Sequence, residues 1–125
     1  MIRIGINGFG RIGRVALRAI FDRYADKVAV VAINASDSLA QAGWLHLFKY
    51  DSVYGLFKAD FPQIAFSFCR DPVQIPWSKS GAKIILECTG AFRDQESLTA
   101  HLRAGAQKVI VHSKIILAPL FDQGI

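Results

Sequence analysis

Three glycines, Gly8, Gly10 and Gly13, fall in the spacing G-x-G-x-x-G between an apolar stretch, Ile2-Arg3-Ile4-Gly5-Ile6, and a segment with helical periodicity that opens at Arg11. A strand that turns tightly into a helix is the arrangement this spacing serves. Gly8 permits the turn, Gly10 lets a phosphate-bearing ligand approach the backbone, and Gly13 lets helix and strand pack closely. A helix start has free N–H groups and a favourable dipole for an anion, so the motif points to dinucleotide binding. The alternative, a glycine turn with only structural meaning, accounts less well for the flanks. Ile2, Ile4 and Ile6 alternate as in a strand. Ile12, Val15, Ala16, Ala19 and Ile20 recur at helical spacing, with Arg11, Arg14 and Arg18 expected on the opposite, solvent face. Arginines beside the turn would also raise the local potential for a phosphate.

The rest of the chain alternates strands with helices. Val28 to Ile33 reads as a buried strand, and Leu39 to Lys49 as a helix with Leu39, Ala42, Gly43 and His46 on one face. Tyr50 to Gly55 reads as a loop. Ile64 to Cys69 is a strand, followed by a turn region with Pro72, Pro76 and Trp77. Ile84 to Cys88 is a buried strand ending at Thr89-Gly90, Gln95 to Ala104 a helix stopped by Gly105, and Val109 to Val111 the next strand. The pattern predicts an α/β fold: a Rossmann-type, doubly wound parallel sheet with its ligand crevice at the carboxyl ends of the strands.

Composition sets further bounds. The 125 residues are 52% hydrophobic and 20% charged, enough for one domain with a real core. The net charge of +5 is dispersed, without the basic block expected of a nucleic-acid partner. No apolar run has membrane length and the first strand begins at the N-terminus, so neither a membrane span nor a signal peptide is expected and the location expected is cytoplasmic. Cys69 and Cys88 make neither a disulfide framework nor a metal spacing, and no metal site is expected.

The chain resembles the phosphorylating glyceraldehyde-3-phosphate dehydrogenases. The resemblance rests on Ile6 to Arg14, Val31 to Asn34, Lys49 to Gly55, Arg70-Asp71-Pro72, Glu87 to Phe92, His101 to Ala106 and Ala118-Pro119, in family order along the whole chain. It implies the N-terminal NAD-binding domain of such enzymes, spanning residues 1–125 and incomplete, with the last strand and the catalytic domain absent. By that resemblance the cofactor residues are Asn7, Gly8, Gly10, Arg11, Ile12, Gly13, Asn34, Arg70, Thr89, Gly90 and Phe92. Arg11 and Ile12 would offer amides to the pyrophosphate, Asn7 would hold the turn, and Thr89, Gly90 and Phe92 would form a second wall, with Phe92 against the adenine. Arg70 would lie near the adenine.

In the family, aldehyde oxidation proceeds through a cysteine thiohemiacetal, hydride transfer to NAD and phosphorolysis of a thioester. The Ser-Cys-Thr-Thr-Asn segment and histidine that do this are not in these residues, so no catalytic residue is assigned. Cys88, at the end of a buried strand, reads as a small hydrophobe rather than a nucleophile. His101 is expected on an exposed or half-buried helix face rather than in a catalytic pair.

Four departures from the family pattern stand out. An acidic residue that accepts the ribose hydroxyls is expected about 20 residues past the glycine turn, yet Ala35 follows Asn34. Losing a charged acceptor costs about 1.5–3 kcal/mol, unless Asp37 reaches the ribose, and it relaxes the preference against NADP. The segment between Gly55 and Arg70 is shorter by about ten residues, the length of a hairpin. His112-Ser113-Lys114 replaces Ser-Ala-Pro, and Ile115-Ile116-Leu117 is apolar where the family is usually polar. With the sixth strand missing, an uncovered edge is expected. Three functions follow: an NAD-binding domain not catalytic by itself; half of an enzyme working with a separate catalytic chain or as a homo-oligomer, with erythrose 4-phosphate an alternative substrate; or a non-catalytic nucleotide-binding module.

Overall fold

The computed structural model describes residues 1–91, 95–111 and 114–117. Its strands are β1 (Ile2–Asn7), β2 (Val28–Asn34), β3 (Tyr50–Asp51), β4 (Gly55–Leu56), β5 (Ala65–Ser67), β6 (Ile84–Glu87), β7 (Lys108–Val111) and β8 (Lys114–Leu117). Its α-helices are α1 (Arg11–Arg23), α2 (Gln41–Lys49), α3 (Trp77–Ser80) and α4 (Gln95–Arg103), with a 3-10 turn at Pro72–Gln74. The main sheet runs β5-β2-β1-β6-β7-β8, and its first five strands are parallel. This is the doubly wound order, with the crossover point between β1 and β6.

Both sheet faces are covered. Ile4, Ile6, Val30 and Ile33 meet Leu17 and Ile20 of α1, Trp44 and Phe48 of α2, and Phe9. On the other face Ala32, Ile85 and Val109 meet Ile75, Trp77, Leu98 and Ala106. Gly5 makes the second layer possible, because a β-carbon there would stand 2.5 Å from the Trp77 ring.

Several sequence expectations are corrected. The buried face of α1 is Gly13, Leu17, Arg18 and Ile20, whereas Ile12 is 63% exposed. The glycine decides this: a β-carbon on Gly13 would lie 2.0 Å from the Gly8 carbonyl oxygen, so this face must press on the turn. Arg18 is buried because the chain after α2 folds over it, accepting its Nη2 protons at the Phe48 and Gly55 carbonyls and stacking Phe48 and Phe57 on its guanidinium. In α2, Trp44 and Phe48 turn inward, and Ala42 and His46 stay exposed, because the aromatic rings pack on Phe9. The Tyr50–Gly55 segment carries the two-residue strands of a small antiparallel hairpin rather than a plain loop.

The far edge of the sheet also differs. Where the sixth strand is expected to be missing and the edge uncovered, β8 pairs antiparallel with β7, Val111 opposite Lys114 and Lys108 opposite Leu117. Strand β7 is therefore not the uncovered edge. His112, Ser113 and Phe92 lie outside the described residues. Among the described residues no helix is long and apolar enough to cross a membrane.

Candidate functional site

The carboxyl ends of β1, β2 and β6 open on a cavity of about 480 Å³. The glycine turn forms one wall, with Asn7, Gly8, Phe9 and Gly10; Asn34 to Asp37 and Phe68 to Arg70 form another; Cys88, Thr89 and Ala91 form the third. Gly8 takes φ 96°, and a β-carbon there would press on Thr89. Gly10 is different: it has φ −69° and a β-carbon would meet nothing within 4 Å. Its missing side chain leaves space for a ligand rather than for the protein. Gly10 is also the N-cap of α1 and no side chain caps that end, so the first-turn amides stay open to an acceptor from outside. Those two facts fit a pyrophosphate at the turn.

Beneath the cavity lies a row of polar side chains. Ser67, Asn34, Asn7 and Glu87 are the last residues of β5, β2, β1 and β6 and stand opposite one another across the sheet. Ser67 Oγ donates to Asn34 Oδ1 at 2.7 Å, Asn34 Nδ2 to Asn7 Oδ1 at 2.8 Å, and Asn7 Nδ2 to Glu87 Oε1 at 2.7 Å. The Cys69 amide and carbonyl close on Asn34. At the other end His101 Nε2 bonds Glu87 Oε1 at 2.6 Å, and Trp77 Nε1 donates to His101 Nδ1 at 3.0 Å. An indole N–H only donates, so Nδ1 is the accepting nitrogen and the ring proton sits on Nε2, toward the carboxylate.

Glu87 also accepts from the amide of Thr89 at 2.9 Å and its hydroxyl at 2.6 Å. Burial opposes ionisation of Glu87, but the hydrogen bonds from His101, Thr89 and Asn7 outweigh it and hold the carboxyl below its ordinary value. The row therefore fixes both the glycine turn, through Asn7, and the Thr89 wall, through Glu87.

His101 is thus fully buried, against the expectation of an exposed or half-buried face. It belongs to the same α4 stripe as Leu98, three residues earlier, and that spacing was the available signal. Glu87 was the missed residue. A carboxylate closing the apolar run Ile84-Ile85-Leu86 has to find partners, which is the signal that could have found it.

Of the expected cofactor residues, Asn7, Gly8, Gly10, Asn34, Arg70 and Thr89 line the cavity. Arg11, Ile12 and Gly13 follow on the first turn of α1, and Gly90, with φ 75°, follows Thr89. Asn7 and Asn34 spend their side chains on the polar row. The arginines beside the turn are committed as well: Arg11 pairs with Asp51, Arg14 donates to the Phe9 carbonyl, and Arg18 is held as described above. Asp51, accepting from the Tyr54 and Val53 amides and from Arg11, is held down to about 2. Of the three, Arg11 alone meets a carboxylate, whereas Arg14 and Arg18 donate to neutral carbonyls and keep their positive charge near the turn. Cys88 is half-buried, and burial together with the neighbouring Glu87 carboxylate pushes its thiol up to about 11. That setting disfavours a thiolate. Among the described residues no group of His, Cys, Asp and Glu could hold a metal ion.

Comparison with known proteins agrees with this geometry. Residues 2–95 match the family model for the glyceraldehyde 3-phosphate dehydrogenase NAD binding domain. The chain is 44% identical to the glyceraldehyde-3-phosphate dehydrogenase of Pseudomonas aeruginosa over 88% of its length. It is 42% identical to glyceraldehyde-3-phosphate dehydrogenase 1 of Trichoderma koningii over 98%, and 41% identical to the cytosolic enzyme of Pisum sativum over 99%. It spans 36%, 39% and 40% of those relatives.

Proposed function

Because the chain belongs to the glyceraldehyde-3-phosphate dehydrogenase family and carries that family's NAD-binding domain, we propose that it holds NAD across the carboxyl edge of its sheet, with the pyrophosphate on the amino end of α1. NAD supplies a hydride acceptor when bound. The residues of this chain bind and orient it. The open amides after Gly10 receive the pyrophosphate oxygens, and Gly8 and Gly13 keep the turn close to the helix. Thr89, held at two points by Glu87, stands as the opposite wall, and Phe92 and Arg70 are assigned to the adenine end.

The observation that carries the reading is Gly10, whose β-carbon would enter empty space in front of an uncapped helix. The whole protein's activity is proposed as aldehyde oxidation with hydride transfer to NAD and phosphorolysis, supplied by catalytic residues that are not in these 125 residues. A cytoplasmic setting, and assembly with a catalytic partner chain or with further copies, are proposed with it.

The test is calorimetric titration of the folded chain with NAD, beside a Gly10→Val variant. Micromolar-range binding that the variant loses, while keeping its circular dichroism, supports the reading. Absence of heat from the folded parent chain sinks it.

A further inference from the structure

The carbonyl oxygens of Gly8, Phe9 and Gly10 all face α1. A β-carbon on Gly13 would meet the Gly8 oxygen at 2.0 Å, so that oxygen lies against the helix. The Gly10 oxygen accepts the Arg14 amide at 3.0 Å, as part of the helical ladder. Between them the Phe9 oxygen is taken by a side chain, because Arg14 Nη1 donates to it at 2.9 Å. Arg14 stands outside the cavity wall that Phe9 and Gly10 help to form. A trans peptide is planar, with its C=O and N–H on opposite sides, and no cis bond occurs among the described residues. Drawing the Phe9 oxygen toward Arg14 therefore turns the Gly10 N–H the other way, toward the cavity.

The Phe9–Gly10 peptide is the one that needs such a hold. Flipping it reverses the φ of the residue that follows, and that residue is Gly10, which takes a positive φ as readily as its present −69°. The flipped form would aim a carbonyl dipole at an anion on the turn. The Gly8 oxygen is fixed by close packing and the Gly10 oxygen by the helix, whereas the Phe9 oxygen is held by the Arg14 guanidinium. Stability alone does not account for this arginine. Its Nε is buried and has no hydrogen-bond partner among the described residues. Burial, then the neighbouring Arg11 charge, pull its pKa below the ordinary value, with Asp51 opposing them. A buried donor left unpaired is a cost, one that an apolar side chain kept for packing would avoid.

We infer that Arg14 is a positioning residue of the cofactor site: it latches the Phe9–Gly10 peptide in the orientation that presents the Gly10 amide to the pyrophosphate, beside the open amides of α1. The inference rests on the dinucleotide reading above and concerns a residue that does not itself touch the ligand. A positive charge could serve from anywhere near the turn, but the latch needs this one bond.

Amide NMR titration of the folded chain with NAD and with ADP tests this, beside Arg14→Met, which keeps the side chain's bulk without the donor, and Arg14→Lys, which keeps a charged donor. In the parent chain the Gly10 amide proton should move downfield with either ligand, as it enters a charge-assisted hydrogen bond. Arg14→Met should bind both about tenfold or more weakly, the loss of one hydrogen bond to a charged group, and its Gly10 amide should no longer respond. Arg14→Lys should stay within about threefold of the parent and restore the Gly10 response. Arg14→Met binding within about twofold of the parent overturns this inference alone. So does a Gly10 amide that ignores both ligands in the parent, or weakened binding by Arg14→Met with the Gly10 response intact, which assigns Arg14 to charge or packing. A folded parent chain that binds neither ligand overturns the dinucleotide reading and this inference with it.

Discussion

His101 donates its Nε2 proton to Glu87 Oε1 across 2.6 Å, and neither side chain is more than 1% exposed. A buried carboxylate is tolerated only when its lone pairs are filled. Here His101 and Asn7 fill Oε1, and the Thr89 amide and hydroxyl fill Oε2. The pair couples α4 to the rim on which the cofactor turn rests.

This pair makes stability depend on acid. The Glu87 carboxyl lies below its ordinary value of 4.5 in the folded chain, so as pH falls the unfolded chain takes up the proton first and the folded state loses its advantage. The contribution is present above the ordinary value and is lost as pH drops through the folded one. Urea midpoints measured from about pH 6 to pH 3 should fall more steeply for the parent chain than for Glu87→Gln. Equal slopes would show that Glu87 does not carry this dependence.

Removing the histidine should cost more than an ordinary substitution. His101→Ala leaves both Glu87 Oε1 and the Trp77 indole short of a partner, and a loss of about 3 kcal/mol or more is expected in chemical denaturation. Trp77→Phe removes only the indole donor, so about 1–3 kcal/mol is expected. A loss under about 0.5 kcal/mol for His101→Ala, the range of surface changes, would contradict the buried network.

Gly10 and Gly13 should respond differently to the same substitution. Gly13→Ala, which in an ordinary helix interior would stabilise by about 0.5–1 kcal/mol, should destabilise here by at least about 2 kcal/mol, because its β-carbon meets the Gly8 carbonyl at 2.0 Å. Gly10→Ala meets open space and should leave the melting temperature nearly unchanged. Thermal melts of the two variants decide this.

Cys88 should be a poor nucleophile. With its thiol at about 11 against an ordinary 9.0, the thiolate fraction near pH 8 is about a hundredfold below that of a free cysteine. In a Cys69→Ser background, alkylation by iodoacetamide followed by mass spectrometry should be slow in the native chain and fast in denaturant. Native alkylation at the free-thiol rate would return Cys88 to consideration as a reactive group.

The glycine spacing, the strand and helix alternation and the apolar strands were legible because each is a local pattern: a positive φ at Gly8, a close approach at Gly13 and an open Gly10 all follow from residue type and spacing. Which way α1 and α2 face was not, since Gly13 and the aromatic pair Trp44 and Phe48 override the apolar periodicity only once the turn and Phe9 are in place. The polar row was even less accessible. A bulge in β1–β2 pairing after Ile4 skips Val31, sets Gly5 opposite Ala32, and thereby brings Asn34 opposite Asn7. In the unbroken register Asn7 would face Ile33. The sequence by itself determined that a dinucleotide turn would form and between which elements; the tertiary structure alone decided that Ser67, Asn34, Asn7, Glu87, His101 and Trp77 meet. Hydrogen bonds among residues up to 80 positions apart depend on the sheet's register and on helix packing, and neither is written in any short stretch of the chain.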